Sequence, residues 1–131
     1  VFLFETGQET PVTLKRAMQD IEKSVGKGCV GVNLDPANLL MYGKANPVDA
    51  LDVFGEYVRG VHGKDGKYPT DGHFLGEEVS IGQGKVNYPV FIARLKEVGY
   101  DGDITIEREI SGEEQKKDIL AGKEYLEQLI G

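Results

Sequence analysis

Residues 1–9 read VFLFETGQE, four apolar residues running without alternation into an acid, Glu5. An unalternating apolar run is the pattern of a strand covered on both faces, as in parallel sheets. Such a strand rarely opens a chain, because termini fray unless something ties them down. The expectation is that further chain precedes Val1. Outward from this stretch the same unit returns. Pro11 to Val25 places Leu14, Ala17, Met18, Ile21 and Val25 at helical spacing, with Thr10 as N-cap, Pro11 in the first turn and Gly26 and Gly28 as the stop. VGVNLD, residues 30–35, is a second strand, and PANLLMYGKA after it reads as a loop. Asn46 and Pro47 open a second helix with Ala50, Leu51, Phe54 and Val58 inward. Residues 58–62 form a short third strand.

A Gly-rich stretch of about 25 residues follows, 63–87, a length uncommon for a loop unless it covers or binds something. Helix three runs from about Tyr88 to Val98, with Asn87 as its cap and Phe91, Ile92, Leu95 and Val98 inward. DITIE, residues 103–107, is the fourth strand. Ser111 and Glu114 fit a capping box for the last helix, whose stripe is Ile119, Leu126, Leu129 and Ile130. Gly122 interrupts that stripe and leaves room for a close neighbour.

Strands alternating with helices imply parallel pairing, hence an α/β protein. Four βα units are half of an eight-stranded (β/α)₈ barrel, here read as one half-barrel domain over residues 1–131. A half-barrel leaves two strand edges unpaired and its inner wall open. A homodimer, or association with a complementary half-barrel, is therefore expected rather than a stable monomer. The formal net charge of −7 argues against a nucleic-acid surface. No apolar run approaches the roughly 18 residues that span a bilayer, so no membrane partner is expected. The start lacks the basic region and cleavage site of a signal peptide. Cys29, the single cysteine, excludes an internal disulfide and reads as a small core residue. These features together suit a cytoplasmic setting.

The last residue of each strand carries the chemistry. These are Glu5, Asp35, His62 and Glu107, separated by 30, 27 and 45 residues. A barrel of about 250 residues has about 31 per unit, so the first two steps are one unit each and the third adds the long loop. Active sites of such barrels lie at the C-terminal strand ends, which brings all four groups to one rim. Three carboxylates held together repel, and each raises its neighbours' pKa. One divalent cation removes the conflict. Three oxygen ligands and one imidazole suit Mn²⁺ or Mg²⁺ best, with Co²⁺, Fe²⁺ and Zn²⁺ also compatible.

Over its whole length the chain resembles the C-terminal half of the sugar isomerase/epimerase superfamily, the xylose isomerase-like TIM barrels. The resemblance rests on FETGQE at the fifth strand of that barrel, GVNLDPANLLMYG at the sixth and VHGKD at the seventh. It continues through GEEVSIGQGKVNYPVF in the loop and helix that follow, to GYDGDITIERE at the eighth. It implies a divalent ion held by Glu5, Asp35, His62 and Glu107. It also implies that Glu5 and Glu107 exchange protons with a sugar or sugar phosphate from opposite faces. The implied reaction is isomerisation or epimerisation by proton transfer next to a carbonyl, through an enediolate.

Asn38 stands where several ketose epimerases carry a sugar-contacting histidine. It can hydrogen-bond a hydroxyl but carries no charge. Lys64 is a candidate contact to a sugar phosphate or hydroxyl, and Asp65 a residue that orders the loop or orients Lys64. Arg108 is a third candidate substrate contact, although strand alternation points it away from Glu107 and toward a charge such as Glu109. Two further classes remain open. Asp71 and His73 in TDGHF match the Asp-x-His zinc ligands of the apurinic endonuclease branch. That branch needs more histidines than the two present here. The other class is a non-catalytic half-barrel that serves assembly.

Overall fold

The computed structural model describes residues 1–131. Its sheet has four parallel strands in the order β1 (Phe2–Glu5), β2 (Val30–Leu34), β3 (Val58–Gly63) and β6 (Ile104–Ile106). The connections are α1 (Pro11–Val25), α2 (Pro36–Met41), α3 (Pro47–Phe54) with a 3₁₀ turn over Gly55–Tyr57, and α4 (Tyr88–Glu97). The last strand leads into α5 (Glu113–Ile130). The long loop contains a two-stranded antiparallel pair, β4 (Asp65–Gly66) with β5 (Glu78–Val79). No helix is long and apolar enough to cross a membrane.

The helices start where the sequence chemistry allows. Thr10 accepts from the Thr13 N–H, and Asn46 accepts from Val48 and Asp49 N–H groups, each with a proline in the first turn behind it. Three starts differ from expectation. PANLLM is the helix α2, because Asp35 caps it and Pro36 pre-sets its first turn. Asn87 makes no side-chain cap; it sits at φ 61, turning the chain into α4. Ser111 forms no capping box, since Gly112 at φ 86 makes the turn and α5 begins at Glu113.

The core lies between the outer face of the sheet and the helices. Val30, Val32 and Leu34 meet Met18, Leu39, Leu40, Phe54, Phe91 and Leu126 there, all buried. Each such side chain stabilises the fold by about 1.5–3 kcal/mol. Gly122 takes its expected part: a Cβ there would come within 2.9 Å of Ile81 Cδ1, so the loop packs directly on α5. Cys29 is only half-buried, and Val25 and Ile130 are exposed at helix ends rather than inward.

The first strand is the main departure. Val1, Phe2 and Leu3 are exposed, because β1 pairs only with β2 and nothing covers its other edge. β6 likewise pairs only with β3. The far edges of both strands are unpaired, as expected of four βα units from a closed barrel.

Candidate metal centre

Strand parity decides which side chains reach the inner face. Along β2 the core residues Val32 and Leu34 point outward, so Asn33 and Asp35 point inward. The register slips between Val32 and Asn33, so that Val32 pairs with Val58 but Asn33 with Gly60. That slip puts Gly60, His62 and Lys64 on the inner side of β3. Glu5 ends β1 on the same side. Glu107 and Glu109 continue β6 there, and Glu107 N–H donates to Gly63 O at 3.0 Å.

The ligand atoms of Glu5, Asp35, His62 and Glu107 all lie within 4.8 Å of one another. His62 Nδ1 is the hub, 3.0 Å from Glu5 Oε1, 3.4 Å from Asp35 Oδ2 and 3.7 Å from Glu107 Oε2. Asp35 has two tasks. Its Oδ1 accepts from Asn38 N–H at 3.0 Å, capping α2, while Oδ2 faces the cluster. Its backbone is locked by Thr6, whose hydroxyl donates to Asp35 O at 2.7 Å and accepts from Asp35 N–H at 2.9 Å. Burial pushes the Asp35 carboxyl above its ordinary pKa. The Asn38 N–H, Lys64 and His62 offset only part of that shift.

Lys64 is no surface lysine; its side chain is 2% exposed. Its ammonium lies 3.2 Å from Glu107 Oε2, 3.6 Å from Asp35 Oδ2 and 3.3 Å from Asn38 Oδ1, and it pairs closely with Glu109. Burial alone would lower its pKa, but Glu109, Asp35 and Glu107 outweigh burial and hold it well above its ordinary value. In return Lys64 holds the Glu109 carboxyl below its usual value. Tyr88 fixes the lysine backbone, its hydroxyl donating to Lys64 O at 2.7 Å and accepting from Lys64 N–H at 2.9 Å. Asn38 sits at the same place, donating to Thr6 O at 3.1 Å. A cleft of about 300 Å³ opens beside Glu5, lined by Thr6, Gln8, Asn38 and Tyr42 among others.

Arg108 does not join this cluster. It donates to Asp118 at 2.8 Å and to Glu78 at 2.9 Å, on the helix side of the sheet. The charges it pairs with are Glu78 and Asp118 rather than Glu109, because alternation turns it outward between two inward glutamates. His73 is an exposed loop residue whose N–H donates to Asp71 at 2.7 Å, and it lies outside the ligand group. Sequence reasoning missed Thr6, Asn33 and the place of Glu109 at the cluster. Asn33 and Glu109 stand two residues from a named ligand on a strand, which parity alone would have flagged.

The donor set fits a divalent cation. Three carboxylate oxygens and one imidazole nitrogen converge from four strand ends, one of the carboxyls buried and disfavoured as a lone anion. Fold and site together define a class: parallel βα units that gather an O₃N ligand group at their C-terminal strand ends. The chain belongs to the xylose isomerase-like TIM barrel family, whose family model matches residues 2–129. That family includes sugar isomerases and epimerases and also endonuclease-like members.

Among known proteins, the chain is 33% identical over 120 residues to an uncharacterized protein of Methanocaldococcus jannaschii, covering 90% of this chain and 37% of that one. A xylose isomerase domain protein of Planctomyces limnophilus matches with a TM-score of 0.83 at 38% identity, over 95% of this chain and 45% of that one. The probable 3-DHS dehydratase AsbF of Bacillus anthracis matches with a TM-score of 0.61 at 20% identity, over 95% of this chain and 48% of that one. At that identity the likeness is one of fold. The chain spans less than half the length of each of these relatives.

Proposed function

We infer that this chain carries the metal-binding and proton-transfer half of a sugar or sugar-phosphate isomerase or epimerase, corresponding to strands five to eight of the barrel. The observation that supports this most is the convergence of Glu5, Asp35, His62 and Glu107 within 4.8 Å. These four would hold one divalent cation, Mn²⁺ or Mg²⁺ by donor preference. When bound, such a cation supplies Lewis-acid polarisation of a carbonyl and its neighbouring hydroxyl. Glu5 and Glu107 approach from β1 and from the end of β6, the two outer strands of the sheet. One carboxylate would take the proton next to the carbonyl, and the other would return it to the enediolate. Asn38 would bind a substrate oxygen as a neutral donor, and Lys64, already bonded to Asn38, Glu107 and Glu109, would add a fixed positive charge beside the substrate. The endonuclease-like reading has less support, since His73 stands apart from the ligand group and the chain is acidic.

The partner in this reading is a second half-barrel, either another copy or a complementary wall. The exposed Val1, Phe2 and Leu3 on an unpaired edge favour it. The test is a Mn²⁺ titration followed by thermal unfolding, with light scattering on the same samples. The chain is expected to gain several degrees with Mn²⁺ and to scatter as more than a monomer, and Glu107→Gln to lose the gain. A folded chain indifferent to Mn²⁺ removes the metal reading. A well-folded monomer at micromolar concentration removes the partner.

A further inference from the structure

His62 is the hub of the ligand group, yet its strand fixes only the Cα–Cβ direction. Something must hold the ring. Asn33 meets the far side of the ring, its Nδ2 lying 3.2 Å from His62 Nε2. Space for that amide is provided across the strand pair. A Cβ on Gly60, the register partner of Asn33, would come within 2.7 Å of Asn33 Oδ1. The Asn33 backbone is itself held, its carbonyl accepting from Thr6 N–H at 3.3 Å. The amide therefore occupies a seat made by a register slip and a glycine, with its head against the ring nitrogen that does not face the carboxylates.

We propose that Asn33 is the positioning residue of His62, clamping Nε2 so that Nδ1 is aimed at Glu5, Asp35 and Glu107. The inference rests on the metal reading above for its purpose, but the contact itself does not. The amide suits the task because it is neutral and two-sided. Turned one way, it donates to a bare Nε2 while an N–H on Nδ1 faces the carboxylates. Turned by half a revolution, its oxygen accepts an Nε2–H and leaves the Nδ1 lone pair free to ligate. A carboxylate at position 33 would serve only the second state and would add a further negative charge beside the cluster. A hydrophobic residue of equal size would serve neither.

The experiment compares the wild-type chain with Asn33→Leu and Asn33→Asp. Three readouts are Mn²⁺ affinity, the ¹⁴N imidazole coupling of bound Mn²⁺ by pulsed electron paramagnetic resonance, and the His62 Nε2 ¹⁵N resonance of the metal-free chain. Asn33→Leu is expected to weaken Mn²⁺ binding about 10–100-fold, to diminish the ¹⁴N coupling, and to shift the Nε2 resonance. Asn33→Asp is expected to retain the ¹⁴N coupling, since it still accepts from Nε2–H. A folded Asn33→Leu chain with wild-type affinity, coupling and resonance overturns the proposal. If Asn33→Leu does not fold, Asn33→Asp decides, and loss of its ¹⁴N coupling overturns the proposal. If the wild-type chain takes up no Mn²⁺, the metal reading fails by itself. The Nε2 resonance then decides the role of Asn33 alone, an unmoved signal in either variant overturning it.

Discussion

Asp35 and Asp65 are both buried on the same rim, at 0% and 1% exposure, and their carboxylates are treated in opposite ways. Asp65 is saturated by backbone. Its Oδ1 accepts from the N–H groups of Gly66 at 2.8 Å and Val86 at 3.2 Å, and its Oδ2 from Gly82 at 2.9 Å and Gly84 at 3.1 Å. Asp35 receives one backbone N–H, that of Asn38, and turns its other oxygen toward two more carboxylates. The Asp65 donors come from its immediate neighbour and from 17 to 21 residues away, so that carboxylate pins a long loop to one point. No backbone N–H reaches that oxygen; it meets only the His62 ring at 3.4 Å and the Lys64 ammonium at 3.6 Å, so burial is not fully offset and the oxygen stays open to a cation. A buried carboxylate thus reads as a structural bolt or as a metal ligand according to how many backbone donors it already owns.

The largest effect expected from this contrast falls on the bolt. Asp65→Ala strips four N–H groups of their acceptor in a packed loop and is expected to cost about 3–5 kcal/mol. Urea unfolding measures it, against a total of about 5–15 kcal/mol for a domain of this kind. A loss below about 1 kcal/mol would mean the loop does not depend on Asp65, and the contrast would fail.

Arg108 borders both regions and comes next. It joins Glu78 of the β4–β5 pair to Asp118 of α5, with all three side chains 15% exposed or less. Arg108 holds the Asp118 carboxyl below its ordinary pKa. Arg108→Ala would leave two half-buried carboxylates without their cation, for a loss of about 2 kcal/mol. Because its neighbours on the strand are Glu107 and Glu109, Mn²⁺ affinity should also fall modestly. If stability drops and affinity holds, Arg108 serves the loop alone, and the two regions are mechanically separate.

What could be read from the sequence follows the same division. The clustering of Glu5, Asp35, His62 and Glu107 was legible because each lies at or beside a strand end, and strand ends recur at a barrel's spacing. The starts of α1 and α3 were legible from a capping side chain followed by proline. PANLLM carries the same signal, since Asp35 followed by Pro36 is a capping side chain and a first-turn proline, but a cap in the last position of a strand run is easily masked by the strand pattern before it. Lys64 is a candidate substrate contact by sequence, but nothing in its glycine-rich stretch signals burial. Its position two residues beyond His62 on one strand is what buries it against Asp35 and Glu107. The Asp65 nest had no local signature, since three of its four donors lie across a loop whose path no periodicity describes. Arg108 was correctly aimed away from Glu107 by alternation, but its partners Glu78 and Asp118 are 30 and 10 residues away and invisible to spacing.

The smallest and sharpest test concerns Asp35 itself. Asp35→Asn keeps the cap on α2, because asparagine serves an N-cap as well as aspartate does. It removes one charge from the cluster. The folded-state pKa of Asp35 is raised by burial, so its contribution to stability is fully present below the ordinary carboxylate value of about 3.9. That contribution is lost as pH rises through the elevated folded value. In chelator, wild-type and Asp35→Asn chains should therefore be closest in stability near pH 4 and separate as pH rises. The variant should lead at pH 7.5 by on the order of 0.5 kcal/mol. Glu109 and Asp118, whose pKa values are depressed, act with the opposite sign and weaken both chains in acid, but they are common to the two and cancel in the difference. Added Mn²⁺ should reverse the order at pH 7.5, stabilising the wild type and leaving the variant behind. If the wild type is the more stable chain even in chelator at pH 7.5, then Lys64 and His62 already satisfy Asp35, and it is a second bolt rather than a ligand.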